Sequence, residues 1–166
     1  EGESARIDIS NIEFKTNKED SILRKAVEKE DRFNVLESAS SNVKFVLISP
    51  IFGEVTSGFN YSTKHFATDI AVPTNSPVKS VANGTVILAE WTIQTGYVVI
   101  IEHPYGLTSV YKHNDSGLVS QGDPVKAGQV IALSGNTGEL TTGPHLHFEL
   151  WRDGSPVNAE DYVSFE

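Results

Sequence analysis

The chain has no cysteine and no methionine among its 166 residues. Without cysteine there are no disulfides, no thiolate-bound metal and no cysteine nucleophile. This fits a bacterial extracytoplasmic protein. Without methionine, Glu1 is not a translational start, and the sequence reads as a mature or trimmed part of a longer precursor, with no signal peptide in the part present. No apolar run approaches the ~20 residues that span a bilayer. Lys and Arg form no cluster, and the formal net charge is −9. A nucleic-acid partner is therefore not expected. A soluble protein, read as a monomer without a transmembrane segment, is what remains.

The first 18 residues are polar and aperiodic. Residues 19–37 read as a helix, with Ile22, Leu23, Ala26 and Val27 as its apolar stripe and Asn17 and Asp20 as a capping pair. A Ser-rich break at 38–42 follows, and the period then changes from helical to two. The sequence thus divides into a helical lead-in over 1–44 and a β domain over 45–166. Predicted strands are Val43–Ile48, a short one before Phe59, Val78–Ala82, Thr85–Trp91, Tyr97–His103, Leu107–His113, Gln129–Leu133 and His145–Trp151. Asn83-Gly84 reads as a type I′ hairpin turn, because both residues tolerate positive φ. Pro104-Tyr105-Gly106 and Asp153-Gly154 read as further turns, and 158–163 as a short closing helix. Many short strands with turn chemistry between them predict a mainly β, antiparallel sandwich or barrel-like domain.

His145-Leu146-His147 lies on a predicted strand. Residues i and i+2 share a strand face, so two imidazoles stand side by side, about 6–7 Å apart at Cα. A distant His and Asp are supplied by His65-x-x-x-Asp69. Four residues of straight strand span ~13 Å, too far for both side chains to reach one ion through bonds of ~2 Å. Shared ligation therefore requires the backbone to bend near Ala67. Two imidazoles and a carboxylate make a zinc site with a fourth position open for water, whose pKa zinc lowers to ~7. The other histidines could orient that water, take its proton or stabilise an oxyanion. Alternation puts Ser109, Tyr111 and His113 on one face. Glu149 shares a face with the histidine pair and could accept an imidazole N–H, or be merely solvated. His103, in a turn before Pro104, is expected at the surface, and Trp91 and Trp151 in packing roles.

His65-x-x-x-Asp69, Tyr111-x-His113 and Thr142-Gly-Pro-His-Leu-His-Phe-Glu149, with Gly122-Asp-Pro-Val-Lys-Ala-Gly-Gln-Val-Ile131 and Ser134-Gly-Asn-Thr-Gly138 leading to the last, resemble the lysostaphin/LytM-type zinc endopeptidases. The similarity covers roughly residues 49–163. It implies a duplicated hybrid motif fold with one zinc ion in a groove on the sheet. It implies that His65, Asp69 and His147 bind zinc and that His113 and His145 are catalytic. Tyr111, Tyr61 and Asn60 are candidate substrate contacts. The implied activity is hydrolysis of peptide cross-links in bacterial peptidoglycan, with D-amino-acid cross-links in a Gram-negative periplasm favoured over glycine bridges; a secreted protein is the alternative. A non-catalytic amidase activator of the same fold is the rival reading. A carrier-like domain suggested by Val125–Ile131 lacks the exposed modified lysine at a hairpin tip.

Two departures stand out. Ala67 replaces the family's common Gly, and the loop from Gly58 to His65 is short and lacks its Gly-x-Arg, which suggests an open cleft. The helix over 19–37 reads as a docking or spacer element. If it is instead a pro-region blocking the groove, deleting residues 1–40 raises activity on cell-wall substrate; unchanged activity excludes that role.

Overall fold

A computed structural model describes residues 47–138 and 143–166. The helix predicted over 19–37, the lead-in boundary, most of the predicted strand 43–48 and Thr142 lie outside the described residues. Leu47 and Ile48 belong to no strand, although the Ile48 N–H donates to the Val81 carbonyl at 2.8 Å.

Among the described residues there are ten antiparallel strands: β1 (Glu54–Ser57), β2 (Thr68–Ala71), β3 (Pro77–Lys79), β4 (Gly84–Thr92), β5 (Gly96–Glu102), β6 (Leu107–Gly117), β7 (Pro124–Val125), β8 (Val130–Ser134), β9 (His145–Arg152) and β10 (Ser155–Val157). The main path runs β1-β2-β9-β6-β5-β4-β7. The sheet branches at β6. Residues Leu107–Lys112 pair with β9, whereas Asn114–Gly117 pair with β8, which in turn pairs with β3. Val78 on β3 and Ile131 on β8 enter the same buried cluster as Val99, Ile101, Leu146 and Phe148, so the β3–β8 arm closes over the main sheet. This is the mainly β, sandwich-like architecture expected from the period-two pattern.

Strand β9 shows how patterning positions its side chains. Leu146, Phe148 and Leu150 are buried, while His147, Glu149 and Trp151 on the other face are partly exposed. Each buried apolar side chain is worth roughly 2 kcal/mol. A one-residue slip would exchange three of them for an imidazole, a carboxylate and an indole, so the register is strongly fixed. Against β2 that register pairs Asp69 with His147 and Ala71 with His145.

The turns after Pro104 and at Asp153-Gly154 form as predicted. Pro104–Gly106 is a 3-10 turn, and Asp153 (φ 51°) and Gly154 (φ 84°) take left-handed backbone to connect β9 to β10. The expected closing helix is a 3-10 turn, Ala159–Asp161, whose N-cap Asn158 accepts from the Glu160 N–H.

Asn83-Gly84 is not a hairpin turn. Neither residue has positive φ, β3 pairs with β8, and β4 pairs with β5 and β7. The actual hairpin is β4–β5, closed at Gly96 with φ 66°. Asn83 has another use: its side-chain oxygen accepts from the Ala127 N–H, and its carbonyl accepts from His103 Nδ1 at 2.8 Å.

His103 is buried rather than at the surface. Its Nε2 lies 2.7 Å from Ser109 Oγ, which lies 2.8 Å from the hydroxyl of Tyr111. Burial pushes His103 down to about 4 against the raising effect of the Asn83 carbonyl, and pushes Tyr111 up to about 12. An imidazole whose folded pKa is depressed is stabilising while neutral. Its contribution is complete above the unfolded value near 6.5 and is lost as pH falls from there towards 4. The loss is on the order of 3 kcal/mol. Urea midpoints measured from pH 7 to pH 4 should fall accordingly, and His103→Gln should flatten that decline at the cost of lower stability at pH 7.

Candidate metal centre

His65, Asp69 and His147 come together, with one potential ligand atom from each lying within 4.8 Å of the others. Three local features produce this. The segment after β1 turns back on itself at Asn60–His65, where the two residues exchange backbone hydrogen bonds of 2.8 and 2.9 Å and Lys64 is left-handed. The chain then bends at Ala67 before β2 begins, as shared ligation demands. His65 Nε2 thereby comes within 3.2 Å of Asp69 Oδ2. Finally, the β2–β9 register places His147 Nδ1 3.1 Å from Asp69 Oδ1.

Every imidazole at the site has one ring nitrogen committed to an oxygen. His65 Nδ1–H donates to the Gly58 carbonyl at 2.8 Å, and His147 Nε2–H to Glu149 Oε2 at 2.8 Å. His113 Nδ1–H donates to the Thr137 carbonyl and His145 Nδ1–H to the Gly143 carbonyl, both at 2.7 Å. A carbonyl can only accept, so the tautomers of His65, His113 and His145 are set. The unprotonated nitrogen of each is Nε2; in His147 it is Nδ1. Glu149 thus settles as a support for His147. It also accepts from Trp151 Nε1 at 2.9 Å and pairs with Lys112 Nζ at 3.0 Å. Burial opposes its ionisation, but His147, Lys112 and Trp151 outweigh this and hold its carboxyl down at about 2.

The electrostatics suit a cation. Burial resists ionisation of Asp69, yet the adjacent His147, His145 and His65 hold its pKa below the usual carboxylate range. Burial also opposes charging of His147, but the Asp69 and Glu149 carboxylates raise it overall. Asp69 Oδ1 is buried and has no hydrogen-bond partner. His147 approaches it to 3.1 Å without hydrogen-bond geometry. His65 Nε2, the Asp69 carboxylate and His147 Nδ1 face one another closely enough to share a divalent ion. Two imidazoles and one carboxylate match zinc with an open fourth position.

His113 and His145 flank this trio. The His113 ring lies 5.1 Å from that of His145 and 5.6 Å from that of His147, and His145 Nε2 is 3.9 Å from Asp69 Oδ1. Burial, with the neighbouring histidines, keeps His113 below its ordinary pKa despite the Thr137 carbonyl.

Simple alternation misplaces Tyr111. It is fully buried, with its ring 5.3 Å from Phe148 and its hydroxyl accepting from the Val81 N–H at 3.0 Å. It is a core residue and cannot contact a substrate. His113, two residues on, lies beside the site histidines because its own backbone is left-handed, with φ 68°. This breaks the alternation where β6 leaves β9 for β8. Strained backbone of this kind in a non-glycine residue gathers at functional sites. The positive φ could not be inferred from Tyr-Lys-His-Asn. Tyr61 is exposed and packs its ring 5.4 Å from that of Phe66, next to His65. Asn60 is exposed, and its side-chain oxygen accepts from the Thr63 N–H at 3.1 Å.

A His-Asp-His trio flanked by two tethered imidazoles is an arrangement that could hold one metal ion. The chain belongs to peptidase family M23, whose pattern it matches over residues 63–159. It is similar to peptidoglycan DD-endopeptidase ShyB of Vibrio cholerae, 40% identical over 121 residues that make up 68% of this chain and 28% of that protein. It is also similar to murein hydrolase activator EnvC of Escherichia coli, 44% identical over 94 residues, or 57% of this chain and 22% of that one. This chain thus spans about a quarter of the length of these relatives. Among solved structures it resembles a zinc-containing peptidase from Vibrio cholerae (TM-score 0.64, 38% identity, 70% of this chain and 39% of that one). Lysostaphin from Staphylococcus simulans is a further match (TM-score 0.61, 28% identity, 66% and 48%).

Outer partners of zinc-binding imidazoles typically contribute 10–100-fold to metal affinity. Glu149→Gln is therefore expected to weaken zinc binding by about that factor, measured by competition with a chromophoric chelator. Unchanged affinity would remove Glu149 from the metal centre.

Proposed function

We propose that this protein is a zinc endopeptidase that hydrolyses peptide cross-links of bacterial peptidoglycan. The observation that carries this reading is the convergence of His65 Nε2, the Asp69 carboxylate and His147 Nδ1 beside two further imidazoles. His65, Asp69 and His147 would hold the ion. When bound, zinc supplies Lewis acidity that polarises a scissile carbonyl and acidifies water at the open position.

His113 and His145 do the remaining work. Each has Nδ1–H committed to a backbone carbonyl, which leaves Nε2 for the reaction. A neutral ring accepts the proton of the attacking water. The same ring, once protonated, donates towards the oxyanion and then the leaving amine. The depressed pKa of His113 supports a neutral, proton-accepting ring at pH 7. Asn60 and Tyr61, on the loop before His65, would contact the substrate from the side of β1.

The similarity to ShyB supports a D-amino-acid cross-link as the bond cut. The periplasm of a Gram-negative bacterium is the matching location. Among the described residues no helix is long and apolar enough to cross a membrane. Residues 1–44 would be a separate lead-in to a zinc domain over 45–166, acting as a monomer.

The similarity to EnvC favours a second reading, a non-catalytic activator of cell-wall enzymes. The intact donor trio and both tethered flanking histidines support hydrolysis instead. Purified peptidoglycan should be cut by the zinc-loaded protein and protected by chelator, with mass analysis of the fragments identifying the bond. His145→Ala should bind zinc and stay folded, yet lose about 100-fold or more in turnover. Equal digestion with and without chelator, or undiminished turnover by His145→Ala, overturns the assignment.

A further inference from the structure

The loop that follows β8 does more at His113 than accept one hydrogen bond. Thr137 grips two consecutive residues of β6 with two different atoms. Its carbonyl accepts from His113 Nδ1–H at 2.7 Å, and its hydroxyl donates to the backbone carbonyl of Asn114. Asn114 is fully buried and ties the same stretch of β6 to its surroundings. Its side-chain amide donates to the Tyr97 and Tyr111 carbonyls, both at 3.1 Å. From the other side, the Thr95 carbonyl in the β4–β5 turn accepts from the His113 N–H at 2.8 Å. That turn and the loop meet backbone to backbone. A Cβ on Gly96 would collide with Thr137, and one on Gly138 with the backbone of Thr95 and Gly96.

We propose that Thr137 is a positioning residue for His113, acting through the bond from its hydroxyl to Asn114. The inference rests on the hydrolytic reading of the metal centre, in which His113 Nε2 exchanges protons. The left-handed backbone of His113 carries the ring to the site but leaves its side-chain torsions open. The Thr137 carbonyl closes them. It selects one ring orientation and the tautomer whose Nε2 is unprotonated. A carbonyl can do this only if it stays in place, and Thr137 lies between Gly135 and Gly138, where backbone freedom is wide. The hydroxyl removes that freedom, because it anchors the loop to the residue that directly follows His113. Ring and acceptor are thereby registered against each other. Valine has the shape of threonine without the donor. In Thr137→Val the loop loses this registration, while β6 keeps its ties to Thr95 and Tyr97.

The test compares zinc-loaded wild type, Thr137→Val and Thr137→Ser on a soluble cross-linked muropeptide dimer, with rates normalised to bound zinc. Thr137→Val should lose on the order of 10–100-fold in kcat. Its KM and zinc affinity should stay near wild type, because the lost contact acts on the proton-transfer ring and not on substrate or metal. Thr137→Ser keeps the donor and should recover most of the loss. Nitrogen-15 NMR of the His113 ring, assigned by its absence from His113→Gln, gives a readout independent of turnover. At mildly alkaline pH the wild-type ring should show one tautomer, protonated at Nδ1, and Thr137→Val should show a mixture of the two. Undiminished kcat in Thr137→Val, a loss that Thr137→Ser does not recover, or a loss matched by equally reduced zinc binding overturns the positioning role. So does a mixture of tautomers in the wild type. If the wild type leaves the dimer uncut, the hydrolytic reading falls and the ring signals alone decide. A single tautomer in both wild type and Thr137→Val then shows that the hydroxyl does not hold the ring.

Discussion

The register of β9 against β2 is the constraint on which the site depends. It is imposed from the opposite face of the strand. Leu146, Phe148 and Leu150 insert into the core beside Ile70, and this fixes which residues face outward. Pairing then sets Asp69 opposite His147, at 3.1 Å between donor atoms. No polar interaction at the site could enforce this alone, since each is worth about 1–3 kcal/mol and competes with water. The apolar alternation supplies the rigidity, and the ligands inherit it.

The histidines need a second level of order, because correct backbone placement still leaves an imidazole free to rotate. Each ring is fixed by one hydrogen bond, and the acceptors come mostly from loops: Gly58, Thr137 and Gly143. Gly143 has φ 141°, backbone that essentially only glycine adopts. This gives a physical role to the glycine two residues before His145. His113 reaches the site through left-handed backbone of its own, at the junction where β6 changes partners. Such strain persists only when surrounding contacts over-determine it. Here they include the His113 N–H to Thr95 and its ring to Thr137.

Local patterns in the sequence carried much of this, and long-range pairing carried the rest. The β class, the shared face of His145 and His147, the bend required at Ala67 and the Asp153-Gly154 turn follow from spacing and residue chemistry within a few positions. Asn83-Gly84 misleads because its turn propensity yields to tertiary partners: β4 finds β5 and β7, and Asn83 is used to hold His103 and Ala127. Tyr111 and His113 mislead because alternation assumes regular backbone. His113 is itself left-handed, so Tyr111 goes to the core while His113 reaches the metal centre. His103 was illegible for a different reason. A turn predicts exposure, but the Asn83 carbonyl and Ser109 satisfy both ring nitrogens inside the fold.

His103 and the site histidines together show what separates a structural imidazole from one available for chemistry. Both kinds have one nitrogen bound to an acceptor on the protein. In His103 the second nitrogen meets Ser109 at 2.7 Å, within a domain that leaves it no access to solvent or substrate. In His65 and His147 the second nitrogen meets only Asp69, an oxygen acceptor that wants a cation as much as they want a Lewis acid. In the proposed assignment His113 and His145 stand one step further out, near Asp69 but not bonded to it. The number of protein partners per ring thus falls from two to one as function is approached. Chemistry is left to whichever nitrogen the fold has oriented but not satisfied.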